Sequence, residues 1–161
     1  MTDTTNDVAK LTELAKGIHT AMLTTVDNDG QFYSRPMGVQ DVDFGADLWF
    51  FADRSSTAVT QIQAHPHVNL ALTSASTWIS ISGSATIVDD PDKVHELWNP
   101  VVEAWMPEGP DAPNVTLIKV DGESAEYWDT PGGRVASVIS FAKAKITGEP
   151  YDGGDNAKVD L

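Results

Sequence analysis

Apolar and polar side chains alternate along most of the chain, which is the spacing of β-strands that bury one face. Segments of this kind are predicted as strands where they are rich in β-branched or aromatic residues and end at Gly, Pro, Asn or Asp. The predicted strands span residues 20–26, 31–39, 48–52, 68–73 and 78–88, followed by two short strands within 115–128 that break at Asp121-Gly122. The acidic turn at residues 27–30 joins the first two strands as a hairpin.

Helical periodicity is confined to three segments. The first follows a capping residue at Asn6 or Asp7, the second spans residues 57–64 and the third spans residues 91–104. Acidic residues precede the third segment, and negative charge at this position favours a helix N-terminus. Residues 105–113 contain three prolines and a glycine, so an irregular loop is predicted there.

Six or seven strands with a few short helices indicate a mainly β fold, an antiparallel barrel with helical additions. Pro36 interrupts the second predicted strand. Because proline has no N–H to donate to a ladder, this strand is expected at a sheet edge, at a bulge or at a break in the ladder.

No repeat, linker or low-complexity block divides the chain, so a single domain over residues 1–161 is expected. Its core is predicted at about 11–147. Gly, Pro and Asp dominate the tail from 148 to 161, and we expect this tail to be mobile.

The chain of 161 residues carries 24 acidic and 10 basic side chains, with a formal charge of −14. This charge opposes binding to nucleic acid or to anionic membranes, because phosphate recognition needs clustered Lys and Arg. The absence of cysteine excludes disulfides, thiolate catalysis and Cys-based metal sites. Without an apolar stretch of membrane-spanning length or a signal-like N-terminus, a cytoplasmic location is expected.

Two arginines stand apart from the other cations. Between Gly17 and Asp92 the only Lys or Arg residues are Arg35 and Arg54. One interpretation is that a strand-rich core segment leaves little surface for charge. The other is that both arginines serve one anionic ligand.

The histidines do not predict a metal site. His65 and His67 flank a proline at a spacing that suits two ligands on a strand, but no carboxylate follows at ligand spacing. A solvated turn is therefore the preferred interpretation, and no metal is expected. No nucleophile, phosphate-loop or dinucleotide motif is present, so no catalytic residue is named.

Residues 50–57 combine a strand end, a turn and a helix start. A helix N-terminus presents free N–H groups and the positive end of the helix dipole. The hydroxyls of Ser55, Ser56 and Thr57 with the guanidinium of Arg54 would complete a pocket for a phosphate monoester. Helix capping alone explains the same serines, and both interpretations stay open.

The order of several short motifs resembles the pyridoxamine 5'-phosphate oxidase-like flavin-binding split barrels, in their general stress protein branch. The resemblance covers roughly residues 11–129. The motifs that carry it lie at 21–25, 29–30, 34–37, 48–53, 97–100, 104–110 and 125–129.

The resemblance implies a six-stranded antiparallel split β-barrel that forms a homodimer with FMN at the subunit interface. It places the flavin ring along Arg35, Pro36 and Met37. It places the phosphate at the strand end and turn that follow, on Phe51, Ala52, Asp53 and Ser56, beside the Arg54 and Thr57 of the pocket described above. Family members commonly have a lysine just beyond the matching serine, whereas this chain has Thr57 and Ala58 there.

The function implied is a flavin-dependent oxidoreductase of the general stress type that acts on a small molecule. A flavin carrier or sensor without turnover is an alternative, as is a split barrel that has lost flavin and binds another small molecule. Oxidation of vitamin B6 is not expected, because residues 148–161 hold one Lys and no Arg, whereas pyridoxamine-phosphate oxidases close on their substrate with an Arg-rich motif.

Overall fold

The computed structural model describes residues 4–40, 47–130 and 155–161. Within these ranges the chain forms helices and strands in the order α1 (Thr4–Ala15), β1 (Thr20–Val26), β2 (Phe32–Gly38), β3 (Leu48–Asp53), α2 (Thr57–Ala64), β4 (His67–Thr73), β5 (Thr77–Val88), α3 (Pro91–Leu97), α4 (Pro100–Trp105), β6 (Val115–Asp129) and β7 (Asp155–Asp160). None of these helices is both long and apolar enough to cross a lipid bilayer.

All strand pairs in the described ranges are antiparallel, in the order β2-β1-β4-β5-β6-β3, with β7 paired to β6. This confirms the predicted mainly β fold with added helices. Among the strands of the described ranges, β2 pairs only with β1. Pro36 therefore lies on an edge strand, as its missing N–H requires.

Within the described residues the sheet has seven strands, where the family resemblance implied six. The additional strand, β7, lies in the segment that was predicted as a mobile tail; residues 148–154 of that segment lie outside the described residues. Val159 is buried in the core and Ala157 packs against it. This two-residue alternation is too short to distinguish from an irregular segment by sequence alone.

Strand β6 runs unbroken through Asp121 and Gly122, where a break between two strands was predicted. It pairs with β5 along its length, and the register shifts between Ser82 and Gly83. A Cβ atom at Gly83 would collide with the carbonyl oxygen of Asp121. The turn-like residues therefore form an irregularity within a continuous strand pair, which only glycine permits at position 83.

The predicted helix over 91–104 is two helices. The ring of Pro100 clashes with a helical backbone at the preceding Asn99. The helix therefore cannot continue into this residue, and α3 ends at Leu97. Asn99 then caps α4, accepting hydrogen bonds at Oδ1 from the N–H groups of Val101 (3.0 Å) and Val102 (3.2 Å).

The main core lies between the inner face of the sheet and helices α1 and α2. In β1 every second residue points inward, so that Ala21, Leu23 and Thr25 are all buried. A second, smaller cluster lies beneath α3 and includes Val94, Val115 and Leu117. Thr25 is the polar exception among these three inward-facing residues of β1.

Candidate functional site

Arg35 lies at the centre of a three-residue polar cluster. The β1–β2 register sets it opposite the buried Leu23, so its side chain shares the inner side of the hairpin. Its Nη1 donates to Thr25 Oγ1 at 2.6 Å and its Nη2 donates to Gln61 Oε1 at 3.0 Å. Thr25 Oγ1 in turn donates to Gln61 Oε1 at 2.6 Å. The cluster thus joins β1, β2 and α2.

The charge of Arg35 has only neutral partners in this cluster. Within the described ranges no carboxylate forms an ion pair with it. Its partial burial lowers the pKa of the guanidinium, although an arginine remains protonated at any physiological pH. A half-buried cation without a counter-ion makes this position attractive for an anion.

Helix α2 brings its first two turns to the same cluster. Ser56 caps the helix, with its Oγ accepting from Val59 N at 3.4 Å. Ala58 and Gln61 are both buried and are three residues apart, so they share one face of the helix. Because Gln61 contacts Arg35, position 58 lies on the face that Arg35 approaches. By the family resemblance, Ala58 stands at the position where members commonly have lysine.

The turn before α2 is ordered by Asp53. Its carboxylate accepts from the hydroxyl and the N–H of Ser55, and from Asn114 Nδ2 at 3.0 Å. These hydrogen bonds, that of the Ser55 hydroxyl first, hold the pKa of Asp53 below its usual value. The carboxylate therefore fixes the turn that positions the N-terminus of α2.

The guanidinium of Arg54 donates hydrogen bonds to three other residues of the protein. Nη1 donates to Asp89 Oδ2 at 2.7 Å, Nε donates to Pro113 O at 3.1 Å and Nη2 donates to Val115 O at 3.3 Å. The hydrogen bond with Asp89 raises the pKa of Arg54 and lowers that of Asp89, whose carboxylate also accepts from Thr116. Arg54 is thus a clamp between the turn and the ends of β5 and β6.

The structure divides the predicted site residues into two groups. Arg35 lies in the polar cluster, Ser56 and Thr57 begin the helix that carries Gln61, and Arg54 faces Asp89. Ala52 is buried in the main core. Phe51 packs on the other side of β3 against Trp98, with ring centroids 5.5 Å apart in an edge-on arrangement.

The two neighbours of Arg35 on β2 face different ways. Pro36 lies opposite Met22 on the outer face of the sheet, where both residues are exposed. Met37 lies opposite the buried Ala21 and packs against the main core. The structure therefore aligns Arg35 and Met37 on one face and Pro36 on the other, as strand alternation requires.

One cavity adjoins this region and another lies apart from it. One of about 260 Å³ is lined by Thr25 together with His67, Asn69 and Glu123, among others. The second, of about 620 Å³, lies beyond the C-terminal end of β2. His65, which was considered as a metal ligand, instead contacts Asn28 Oδ1 through Nε2 at 2.9 Å.

Sequence reasoning did not identify Thr25 or Gln61 as site residues. Both break an apolar pattern: Thr25 follows Ala21 and Leu23 on the inner side of β1, and Gln61 lies beside Ile62 on the inner side of α2. Buried polar residues need partners, so two such residues on neighbouring elements could have indicated a shared third group. Their pairing with Arg35 is visible only in the fold.

Comparisons with known proteins agree with this architecture. Protein bli-3 of Neurospora crassa is 32% identical over 142 residues, which cover 81% of this chain and 68% of the relative. General stress protein 26 from Bacillus anthracis str. Sterne has 30% identity and a TM-score of 0.68, covering 76% of this chain and 93% of that one. The general stress FMN/FAD binding protein from Xanthomonas citri has 32% identity and a TM-score of 0.66, covering 78% and 89%.

The family assignment rests on most of the chain. Residues 6–152 match the model of the family described as pyridoxamine 5'-phosphate oxidase-like. The structural matches confirm the split-barrel prediction and the general stress branch. Sequence motifs, sheet topology and these matches together show that the protein belongs to the pyridoxamine 5'-phosphate oxidase-like family, in its general stress protein 26 branch.

Proposed function

We propose that this protein binds FMN, with the phosphate held at Arg35. The observation that carries the proposal is the half-buried guanidinium whose partners in the cluster, Thr25 and Gln61, are neutral. A phosphate monoester would supply the missing negative charge. The relative from Xanthomonas citri, an FMN/FAD binding protein, supports a flavin as the ligand.

The surrounding residues fit a phosphate group. The hydroxyl of Thr25 and the carboxamide N–H groups of Gln61 would become donors to a phosphate if both side chains turned out of their present hydrogen bond to each other. The N-terminus of α2 adds the free N–H groups of its first turn next to Thr57. The bound flavin would supply the redox chemistry, while these residues hold its phosphate and orient it.

The proposed path of the ring follows β2. As an edge strand, β2 has one row of N–H and C=O groups that β1 does not use. A flavin ring has several polar atoms along one edge and can use such a row. Pro36 and Met37 are proposed on this path, and Asp53 orders the turn that leads to the N-terminus of α2.

A homodimer is proposed because the outer face of the sheet exposes several large apolar side chains. Its centre is lined by small polar residues that include Ser80 and Ser82, between which Asn69 donates hydrogen bonds. Around it lie exposed large apolar residues, namely Met22, Phe32, Trp78 and Trp128. Apolar groups at this density mark an association surface, and sedimentation equilibrium measures the stoichiometry.

We further propose that the flavin-loaded protein is an oxidoreductase, located in the cytoplasm, that acts on a small molecule rather than on vitamin B6. The first test is the visible absorption spectrum of the purified protein and of the supernatant after denaturation. Released FMN supports the cofactor assignment. Colourless protein that also ignores added FMN in a titration would refute it.

A second measurement separates an enzyme from a carrier or sensor. The FMN-loaded protein is mixed anaerobically with NADH or NADPH, and the flavin absorbance is followed over time. Reduction by the nicotinamide and reoxidation by an added acceptor support the enzyme. A flavin that neither reagent reduces at a useful rate would favour the carrier.

A further inference from the structure

The smaller cavity, of about 260 Å³, lies on the outer face of the sheet. Thr25, Val68 and Gly83 line it, and the strand registers place them in one row across β1, β4 and β5. The side chains of Thr25 and Val68 are buried on the inner side, and Gly83 has none. On the outer side this row is therefore bare backbone, which forms the floor of the cavity.

Side chains of the neighbouring rows form the walls. Thr24, Asn69 and Ser82 stand on one side of the floor, and His67 stands on the other. The surface inside the cavity is mainly apolar, and its volume is just below the usual range of ligand sites. The cavity therefore admits a small molecule with a slim apolar body.

A β-bulge places Glu123 at one end of this cavity. Ser82 of β5 pairs with Ser124 of β6. The next residue of β5, Gly83, pairs with Gly122. Glu123 is therefore the extra residue of β6, and a bulge re-aims the side chain that it carries. Glu123 lines the cavity together with Gly83.

The carboxylate of Glu123 gives the cavity a negative charge. Its Oε1 accepts a hydrogen bond from the neutral hydroxyl of Ser84 at 2.8 Å. Within the described ranges no cation forms an ion pair with it, and the described wall contains neither Lys nor Arg. A cleft with charge of one sign attracts a ligand of the opposite sign, and a carboxylate forms its strongest hydrogen bonds with charged donors.

The other polar groups of the wall do not oppose a cation. In the described part of the chain the amide of Asn69 hydrogen-bonds through Nδ2, to Ser80 and Ser82, which leaves Oδ1 as an acceptor. The hydroxyl of Ser82 and a neutral His67 ring can each donate or accept. The charge of Glu123 therefore decides which ligand the cavity favours.

We infer that this cavity binds a small primary amine in its ammonium form, with an apolar body such as an aromatic ring. The body lies in the trough above Val68 and Gly83, and the ammonium group donates to the carboxylate of Glu123.

This inference goes beyond the proposed function, because it concerns a second site and requires no flavin. Thr25 contributes backbone to the floor, whereas its hydroxyl is bonded to Gln61 on the inner side of the sheet. The carboxylate of Glu123 would repel a phosphate, so FMN and the amine should bind together. Asn69 and Ser82 also belong to the face proposed for the homodimer, and the affinity is therefore measured at two protein concentrations.

The test is a nuclear magnetic resonance titration of the flavin-free full chain. The probes are 2-phenylethylamine, 2-phenylethanol and 3-phenylpropanoate, which share a ring and differ in charge. The amide chemical shifts of Val68 and Gly83 report binding at the floor. We expect the amine to bind about fivefold more tightly than the alcohol, as one exposed ion pair allows, and the carboxylate probe to bind most weakly.

Two variants on one strand test the charge. In Glu123→Gln the amine should bind about fivefold more weakly, like the alcohol, whose own affinity should not change. Glu126→Gln removes a carboxylate from the same strand but outside the cavity wall. It should retain the preference for the amine.

A second pair of variants tests the location. Ser82→Trp fills the cavity and should abolish binding of the amine and the alcohol, whereas Thr86→Trp, exposed on the same strand outside the wall, should bind both like the unmodified chain. Circular dichroism confirms that each variant is folded. If Ser82→Trp does not fold, the selectivity of Glu123→Gln decides alone.

Three outcomes would overturn the inference. The first is equal binding of the amine and the alcohol, or no binding, by the unmodified chain. The second is a preference for the amine that survives in Glu123→Gln. The third is displacement of the amine by saturating FMN, which would assign the cavity to the flavin.

Two other outcomes support the amine site. Weaker binding at the higher protein concentration would show that a second copy of the chain competes with the amine for the outer face. A chain that binds the amine but no FMN would refute only the proposed function.

Discussion

Arg35 Nη2 and Gln61 Oε1 lie 3.0 Å apart, joining β2 to α2 through two residues that are 26 positions apart in the sequence. The contact places the one cation of the cluster against the face of α2 that begins at Ala58. Three of the four predictions below follow from this arrangement or from the clamp beside it, and the fourth concerns the bulged pair of strands.

Replacing Arg35 should discriminate between flavins with and without a phosphate. We expect Arg35→Gln to weaken FMN binding roughly 10- to 100-fold, because a hydrogen bond to a charged group contributes about 1.5–3 kcal/mol. Riboflavin, which has no phosphate, should bind the variant almost as well as it binds the unmodified chain. Fluorescence quenching titrations measure both constants.

The matched control is Arg54→Gln. Because the guanidinium of Arg54 is bonded to Asp89 and to two carbonyl oxygens, this variant should lose thermal stability while its FMN-to-riboflavin ratio stays unchanged. A selective loss of FMN in Arg54→Gln, with none in Arg35→Gln, would move the phosphate site to the turn.

A lysine at position 58 should strengthen FMN binding and lower the stability of the protein without ligand. Ala58 is buried on the face of α2 that carries Gln61, so Ala58→Lys brings a second cation towards Arg35. Without ligand the two like charges repel each other and the lysine loses hydration, which lowers the melting temperature. With FMN the phosphate dianion pairs with both, and the affinity should rise about tenfold.

Thr60→Lys is the control for this substitution, since Thr60 is exposed on the same helix. It should change neither the melting temperature without ligand nor the FMN affinity by an appreciable amount. The proposed phosphate position is contradicted if Ala58→Lys destabilises the protein and FMN does not restore its stability.

The clamp around Arg54 should make stability depend on acidity. Hydrogen bonds from Arg54 and then Thr116 lower the pKa of Asp89 in the folded state, and Ser55 and then Asn114 lower that of Asp53. Both carboxylates therefore contribute stability that is fully present well above the unfolded-state pKa of about 3.9. This contribution is lost as the pH falls through the lower folded-state pKa values.

The measurement is a series of urea midpoints from pH 7 to pH 2. Asp89→Asn should start at a lower midpoint at pH 7 and lose less on acidification than the unmodified chain. Glu108→Gln, in an exposed loop, serves as the comparison and should retain the full slope. If the urea midpoints of all three proteins fall equally with pH, the carboxylate of Asp89 does not contribute to the pH dependence of stability.

Gly83 should tolerate no side chain. Its Cβ would collide with the backbone carbonyl of Asp121, and backbone cannot move aside as a flexible side chain can. We expect Gly83→Ala to reduce the free energy of unfolding by about 1–3 kcal/mol or to prevent folding. Gly38→Ala, where nothing lies within 4 Å, should be neutral or slightly stabilising in the same urea titration.

Local pattern was enough to predict most of the sheet. Strand alternation with a strong turn located β1 and β2, and Pro36 indicated the edge position that β2 occupies. These features depend on residues close in sequence, for which spacing and turn chemistry are direct evidence.

Features that depend on distant partners were not predictable in the same way. Asp121 and Gly122 have the composition of a turn, and only pairing with β5 turns them into part of a continuous strand. Thr25 and Gln61 meet Arg35 because β1, β2 and α2 pack together. No spacing along the chain contains that contact, so the sequence alone could not assign Thr25 and Gln61 to the candidate site.

Under the FMN proposal, the unneutralised charge of Arg35 would tie the amount of folded protein to the supply of its ligand. An anion that binds the folded chain and not the unfolded chain raises stability with the logarithm of its free concentration. Under the FMN proposal, a cell short of flavin would hold a less stable form that proteases remove sooner. The abundance of this protein would then report the cofactor level before any reaction takes place.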